Sequence, residues 1–207
     1  MRVSSETGAT VLCVDLVTTS TWYTFGGNQL FIVADALCLP IKAGILDGVL
    51  ISCLYHLVDD KRRLLSEAYR CLRWGGSLFV ITLSEAQLGD RFLNRYFPSI
   101  QCLDRRRYGT IEDLNQLAQT VGFEAVEVNS IVLREETPTD EWFAVIREKR
   151  WSSLCIIPEE EYSDGLQRLE RDFLHWTGSG MPSWINSRSV VWLRKRRGQA
   201  RLDRRKL

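Results

Sequence analysis

The stretch from Leu30 to Leu83 constrains the fold most, because three apolar runs alternate there with loops and one amphipathic helix. The runs predict strands over residues 30–34, 48–52 and 77–83, and the pattern between the last two predicts a helix over residues 60–72. Strands that alternate with loops and a helix at this spacing pair in parallel. The sequence therefore predicts an α/β protein with a doubly wound, mostly parallel sheet.

The rest of the chain adds further strands and helices around this stretch. An apolar run over residues 10–17 predicts a strand that is buried on both faces. The helix within the opening stretch is capped by Asp59 or Asp60. Two late strands are expected to form an antiparallel closing pair at the sheet edge. The late elements are the strands over 123–133 and 189–193 and the helices over 110–120, 140–150 and 158–176.

A chain of 207 residues predicts one domain with a sizeable core. We divide it into a core of sheet and helices, a helical insert that caps the cleft, a closing strand and a basic tail. These regions span residues 10–133, 134–186, 187–195 and 196–207. The aromatic residues of the insert are Trp142, Phe143, Trp151, Tyr162, Phe173 and Trp176.

The net charge of +1 provides no overall field that would favour nucleic acid or a membrane. From Arg188 to Leu207, however, nine Lys and Arg residues accompany one acid, Asp203. A solvated tail is the favoured interpretation, and a phosphate-binding arm for RNA is the alternative. No apolar run reaches the length of about 18 residues that crosses a bilayer, so no membrane span is predicted.

Six cysteines stand at positions 13, 38, 53, 71, 102 and 155, and no two of them form a Cys-x-x-Cys pair. Four fall within apolar runs, which predicts buried free thiols in a reducing cytoplasm. The spacing fits neither a zinc site nor a disulfide framework, so no metal is predicted. The N-terminus lacks the pattern of a secretory signal, and the expected location is cytoplasmic.

Polar residues follow the predicted strands at their carboxyl ends, which form the edge where open α/β sheets bind ligands. Asp15 follows the first strand, Asp35 follows the second, and the Ser52–His56 segment follows the third. A carboxylate at the second position suits a ribose diol, because it accepts two hydroxyl hydrogen bonds. Asp35 with the N–H of Ala36 also suits the polar edge of a base. The alternative role of each aspartate is to cap a loop or a helix.

Several motifs then stand in order along the chain. They are Val33–Ala36 with Leu39 and Pro40, Leu46–Ser52 with Leu54–Leu57, Leu65–Leu72 with Gly75 and Gly76, and Gly122 with Phe123. In this order they resemble the motifs of the class I S-adenosylmethionine-dependent methyltransferases, of the broad methyltransferase-domain type. The resemblance covers residues 10–133, and Trp74 replaces the proline that usually precedes the glycine pair. It implies a Rossmann-like sheet, S-adenosyl-L-methionine as the cofactor, and methyl transfer to a small-molecule acceptor.

The resemblance also implies a role for each matching residue in the cleft. Asp15, with Leu16 beside it, would hold the ribose. Asp35 would hold the adenine amino group, and Ala36 would contact the ring through its backbone. The residues that would line the methionine and methyl end are Ser52, Cys53 and Leu54, and those that would face the acceptor are Tyr55 and His56.

His56 is the one candidate for a general base in this cleft. Methyl transfer from a sulfonium needs a base only when the acceptor must lose a proton. The alternative for His56 is an imidazole with a structural role, satisfied by its neighbours.

The beginning of the chain departs from the family pattern. The first strand and its G-x-G-x-G turn, which would approach the methionine part of the cofactor, should precede Thr10, and nine residues stand there. We interpret the run over residues 10–17 as the second family strand, so the first strand and helix are expected to be missing from the sheet. The expected explanations are an incomplete gene product, a gap filled by residues 1–9 with a protein partner or second copy, or a rearranged fold.

Two other functions stay open from the sequence. One is a non-catalytic or truncated methyltransferase-like subunit that acts through association with a partner, and the missing glycine-rich turn motivates it. The other is nicotinamide-dinucleotide binding on a similar sheet, which also needs a glycine-rich turn. The Leu54–Leu57 segment after the third strand favours the methyltransferase over the dinucleotide-binding protein.

Overall fold

The computed structural model describes residues 8–17, 29–133, 139–176 and 186–196. Within these ranges the strands are β1 (Val11–Asp15), β2 (Gln29–Val33), β3 (Leu46–Ser52), β4 (Leu72–Thr82), β5 (Phe123–Leu133) and β6 (Asn186–Lys195). The α-helices are α1 (Lys61–Cys71), α2 (Glu85–Gly89), α3 (Ser99–Tyr108), α4 (Ile111–Val121), α5 (Thr139–Arg147) and α6 (Glu159–Trp176). Single 3-10 turns span Tyr55–Leu57, Phe92–Arg95 and Ser152–Cys155.

The strands form two sheets. β1 and β2 pair in parallel, with Val11 opposite Gln29 and Asp15 opposite Val33. The second sheet has the order β3-β4-β6-β5, in which β3 and β4 are parallel and β6 is antiparallel to both of its neighbours. The α/β class and the antiparallel closing strand are therefore confirmed, although β6 lies inside the sheet and β5 forms its edge.

No described strand pairs β1 with β3. The break between the two sheets coincides with the predicted position of the missing central strand. Backbone N–H and C=O groups along the unpaired edges of β1 and β3 are open to water or to another strand.

The helices around the second sheet begin and end at residues that cap them. The Asp60 carboxylate accepts a hydrogen bond from the backbone N–H of Arg63 at 2.9 Å, so α1 starts after Asp60. Thr110 and Asp113 form a reciprocal capping box at the start of α4. α4 ends at Gly122, whose φ of 115° lies in the left-handed region that glycine tolerates. These caps fix both helices against the sheet.

One hydrophobic core joins the sheet to α1 and α4. α1 contributes Leu64, Leu65 and Ala68, and β4 contributes Leu78 and Val80, all at most 3% exposed. Burying a Leu or Val side chain stabilises the fold by about 1.5–3 kcal/mol. This core therefore holds β3, whose carboxyl end carries the Ser52–His56 segment.

A second core lies among the helices of the C-terminal half and the segment after β4. Trp142 and Phe143 of α5 and Tyr162 of α6 pack there with Phe97 and Ile100. The predicted insert is thus one half of a helical layer whose other half comes from residues 92–103. Whether this layer covers a ligand stays a prediction. Trp151 is 38% exposed, and the side chains of Phe173 and Trp176 lie outside the described part.

The prediction of buried thiols was wrong for most of the cysteines. All six are free, but only Cys71 is buried, Cys13 is half-buried, and the other four are exposed. Local apolar runs did not reveal burial, because Cys38, Cys53 and Cys155 occupy loop and turn positions that face solvent and Cys102 lies on the exposed side of α3. Among the described residues, no helix is long and apolar enough to cross a membrane. Residues 197–207 of the basic tail lie outside the described residues.

Candidate active site

Asp15 and Asp35 lie at the carboxyl ends of two neighbouring parallel strands. Asp15 ends β1 opposite Val33, and its carbonyl accepts a hydrogen bond from Ala34 N–H at 2.8 Å. Asp35 follows two residues later, so both exposed carboxylates occupy the same edge of the pair. This edge is where ligands of open α/β sheets bind.

Each of the two carboxylates also stabilises its own turn. Oδ1 of Asp35 accepts the N–H of Leu37 at 2.8 Å, and Oδ1 of Asp15 accepts the N–H of Val17 at 3.4 Å. Among the described residues, Oδ2 of either aspartate has no hydrogen-bond donor, so one oxygen of each is available to a ligand. Leu16 beside Asp15 is 65% exposed. The turn-capping alternative and the ligand-binding role are therefore compatible in the same residue.

The loop that follows Asp35 is held by an ion pair on α1. Glu67 accepts two hydrogen bonds from Arg70, at 2.8 and 2.9 Å, and a third from the backbone N–H of Leu39 at 2.9 Å. Arg70 donates in turn to the carbonyls of Ile41 at 2.6 Å and Leu39 at 2.9 Å. The hydrogen bond from Arg70 lowers the pKa of Glu67 below its ordinary value, although burial opposes the shift. This network fixes the path of the chain from β2 to β3.

Backbone strain marks the end of β3. Cys53 has a φ of 54°, in the left-handed region that non-glycine residues seldom adopt. Such a conformation costs on the order of 1–3 kcal/mol and is typical of functional sites. Ser52 and Cys53 are exposed and Leu54 is half-buried, so the segment predicted to line the methyl end is accessible.

Tyr55 and His56 follow in a single 3-10 turn and point in different directions. Tyr55 is only 3% exposed and packs in the main core, so it does not face an acceptor as the sequence predicted. Consecutive residues of such a turn project about 120° apart, which leaves room for only one of them on the cleft side. Burial raises the pKa of Tyr55 to about 12, and Asp113 adds to the shift.

His56 stacks on Tyr108 at the end of α3. The ring centroids are 4.1 Å apart and the planes differ by 6°. Burial lowers the pKa of His56 to about 4, and the nearby guanidinium of Arg107 contributes in the same direction. His56 is therefore a neutral imidazole at neutral pH.

A buried carboxylate organises the charges beside these rings. Asp104 is fully buried, and its Oδ1 accepts a hydrogen bond from Arg107 at 3.1 Å. Its Oδ2 accepts from Arg91 and from the hydroxyl of Ser153 at 2.7 Å. Arg107 also donates to Ser152 Oγ at 2.9 Å. Asp104 thus joins α3 to the turn before α6 and fixes both arginines.

Local sequence patterns did not predict this charged cluster. Asp104 and Arg107 are three residues apart on α3, the spacing at which an ion pair forms on a helix surface. That spacing was the one available signal. Arg91 and Ser153 reach Asp104 from separate segments, and no local pattern relates them to it.

The donor set suits the adenosine part of S-adenosyl-L-methionine better than the methionine part. Carboxylates such as Asp15 and Asp35 accept hydrogen bonds from ribose hydroxyls or an adenine amino group. The ammonium and carboxylate of the methionine part need a close backbone approach, which a glycine-rich turn provides. No such turn occurs among residues 8–17 or 29–133 at the end of a parallel strand. The described residues therefore fit one half of the cofactor.

Comparison with known proteins agrees with this geometry. Residues 1–80 match the family model described as Methyltransferase domain. The ubiquinone/menaquinone biosynthesis C-methyltransferase UbiE of Allorhizobium ampelinum is 33% identical over 97 residues, which make up 45% of this chain and 38% of that protein. The matched part of the chain thus spans well under half the length of this relative.

Two solved structures share the fold. A methyltransferase assigned to an antibiotic biosynthesis pathway of Anabaena variabilis gives a TM-score of 0.69 at 15% identity, over 92% of this chain and 83% of its own. Phosphoethanolamine N-methyltransferase 2 of Haemonchus contortus was solved with phosphomonomethylethanolamine and S-adenosylhomocysteine. It gives a TM-score of 0.51 at 16% identity, over 95% of this chain and 46% of its own.

The resemblance to the class I S-adenosylmethionine-dependent methyltransferases is therefore confirmed. Residues 1–80 resemble the family in sequence, and most of the chain resembles it in fold. S-adenosyl-L-methionine is the methyl donor of this class, and it is the cofactor that the family match supports.

Proposed function

We propose that this chain forms the adenosine-binding and acceptor-binding part of an S-adenosylmethionine-dependent methyltransferase that acts on a small molecule. One observation carries the proposal. Asp15, Asp35 and the segment that begins with the strained Cys53 all lie at the carboxyl ends of parallel strands. Asp15 and Asp35 belong to the two-stranded sheet, and Cys53 follows β3 of the four-stranded sheet. The carboxyl ends of parallel strands are where open α/β sheets bind ligands.

The residues of the chain would act mainly by positioning. When bound, S-adenosyl-L-methionine supplies an electrophilic methyl group. Asp15 would accept hydrogen bonds from the ribose, and Asp35 from the adenine amino group, with the Ala36 backbone against the ring. The residues 52–54 would line the methyl end. Holding donor and acceptor in line and excluding water lowers the barrier without a covalent step on the protein.

His56 would border the acceptor as a neutral imidazole. With a pKa of about 4 it is a weak base at neutral pH. We infer that His56 aligns the acceptor and does not take a proton from it. An acceptor atom that carries a free lone pair suits such a site.

Isothermal titration with S-adenosylhomocysteine at high protein concentration tests cofactor binding. The wild-type chain is expected to release binding heat, and Asp35→Asn is expected to weaken binding about tenfold to a hundredfold, because hydrogen bonds to a charged group contribute about 1.5–3 kcal/mol. Glu127→Gln, an equal change of charge on the edge strand β5, is the matched control and should bind like the wild type. Absence of binding heat from the wild type would rule out an active enzyme in this form.

A methyltransferase-like subunit without activity of its own is the second candidate. The break between β1 and β3 favours it, because a parallel strand from a partner would satisfy both edges. Sedimentation at several protein concentrations would then show self-association, or a complex with a partner. A folded monomer that turns over the methyl donor would eliminate this candidate.

A further inference from the structure

The surroundings of His56 and Tyr108 carry an excess of positive charge. Four cations and two carboxylates act on these rings or on each other, which leaves an excess of two positive charges. The cations are Lys61, Arg91, Arg107 and Arg188, and the carboxylates are Asp59 and Asp104. One cation is enough to neutralise the buried Asp104, and both Arg91 and Arg107 bond it. The charge of one of these two arginines is therefore left without a carboxylate of its own.

Arg91 is the member of the cluster that is prepared for a ligand. Its Nη1 donates to Asp104, while its Nε and Nη2 have no acceptor among the described residues. The side chain is 28% exposed, more than that of Arg107 at 20%. Its guanidinium carbon lies 5.9 Å from the centre of the Tyr108 ring, which limits the orientations of the fork.

Two of the three neighbouring cations are already committed to the protein, and the third, Arg188, donates from Nη1 to the carbonyl of Ser187 at 3.3 Å. Lys61 donates to the carbonyl of Arg107 at 2.7 Å, and Arg107 uses both Nη atoms, on Asp104 and Ser152. Lys61 and Arg107 therefore contribute positive electrostatic potential, whereas Arg91 also contributes N–H donors that are free to bind a ligand. A guanidinium with two free N–H groups in a fixed plane binds carboxylate or phosphate through two parallel hydrogen bonds.

We propose that Arg91, positioned by Asp104 and Tyr108, binds an anionic group of the methyl acceptor, a phosphate or a carboxylate, beside His56. This inference rests on the proposed function for the identity of the ligand as the acceptor. The anionic group would anchor the acceptor at the helical layer, while the end that receives the methyl group points to Cys53 at the tip of β3.

Titration with inorganic phosphate, followed through the NMR signals of the His56 ring, tests the site. Sodium chloride at matched ionic strength is the blank, and sodium acetate in a parallel series distinguishes carboxylate from phosphate preference. Phosphate or acetate is expected to shift the His56 signals saturably in the wild type. Arg91→Gln is expected to weaken this binding about tenfold or more, because a charge-assisted pair is lost. Arg105→Gln changes an exposed arginine on α3, is the control, and should leave binding unchanged.

Arg91→Lys is a second variant in case Arg91→Gln does not fold, because lysine keeps a positive charge beside Asp104. It should fold and still bind phosphate more weakly than the wild type, since lysine lacks the planar fork. The proposal would be overturned if the wild type shows no saturable shift of the His56 signals. It would also be overturned if Arg91→Gln and Arg105→Gln bind phosphate equally well. Binding of S-adenosylhomocysteine is measured on the same samples. If the wild type binds phosphate but not S-adenosylhomocysteine, the proposed function is wrong and the anion site still stands.

Discussion

The imidazole of His56 lies parallel to the phenol ring of Tyr108, with the ring centroids 4.1 Å apart and the planes 6° from parallel. The stack joins the turn after β3 to the end of α3. It places the histidine against an aromatic ring and within the electrostatic influence of Arg107 and Arg91.

This environment predicts that His56 titrates near pH 4 and that acid weakens the fold through it. Its pKa falls from 6.5 to about 4 on folding. Between these two values the unfolded chain binds the additional proton, so the contribution of His56 to stability is complete above about pH 6.5 and is lost as the pH falls toward 4. NMR titration of the ring measures the pKa, and the His56→Gln spectrum assigns the signal. A midpoint near 6.5 would contradict the prediction.

Gly165 is expected to tolerate no side chain. A Cβ at this position of α6 would lie 2.5 Å from Cε1 of Phe97 and from the carbonyl oxygen of Tyr96. Gly165→Ala should therefore lower the free energy of unfolding by about 1–3 kcal/mol through overpacking. Gly89→Ala is the control, because its Cβ would meet only Gln101 at 3.6 Å. Urea denaturation measures both, and equal midpoints for the two variants would refute the prediction.

The Glu67–Arg70 pair is expected to stabilise the loop that carries Asp35. Arg70→Lys removes the bidentate pair and the hydrogen bonds to two loop carbonyls, and should destabilise the fold by about 1–3 kcal/mol. S-adenosylhomocysteine binding should weaken in parallel. Arg62→Lys on the same helix should change neither quantity, because among the described residues its side chain bonds only the exposed Thr120. An Arg70→Lys variant with wild-type stability would show that the loop holds without this ion pair.

Lys195 is expected to be a structural cation at the end of α1. It is 6% exposed, and its Nζ donates to the carbonyls of Tyr69 at 2.7 Å and Leu72 at 2.8 Å. It also lies 4.7 Å from the ring centre of Trp74. Lys195→Met leaves two carbonyls without a donor and should cost about 1.5–3 kcal/mol in urea denaturation. Lys42→Met, at an exposed position, should cost less than about 0.5 kcal/mol, and a similar loss in both variants would argue against this role.

Much of the α/β framework was predictable because its signals are local. β5 spans 123–133 as predicted, and the predicted helix over 60–72 appears as α1 over 61–71. The helix over 99–108 was missed, since its apolar residues serve a second core and give little amphipathic contrast along the helix. The local pattern also predicted the strand ends that carry Asp15 and Asp35, and the structure shows the capping role that was left open for both residues.

The sequence by itself determined the strands, the capped helices and the order of polar residues at the strand ends, because periodicity and capping act over a few neighbouring residues. Only the tertiary structure decided that Tyr55 is buried while His56 meets Tyr108, and that Arg91 and Arg107 converge on Asp104. The contacts of Arg91 with Asp104 and of His56 with Tyr108 join residues 13 and 52 positions apart, where no local pattern operates. The surroundings of His56 are therefore a product of packing, while the positions of Asp15 and Asp35 follow from the order of the strands.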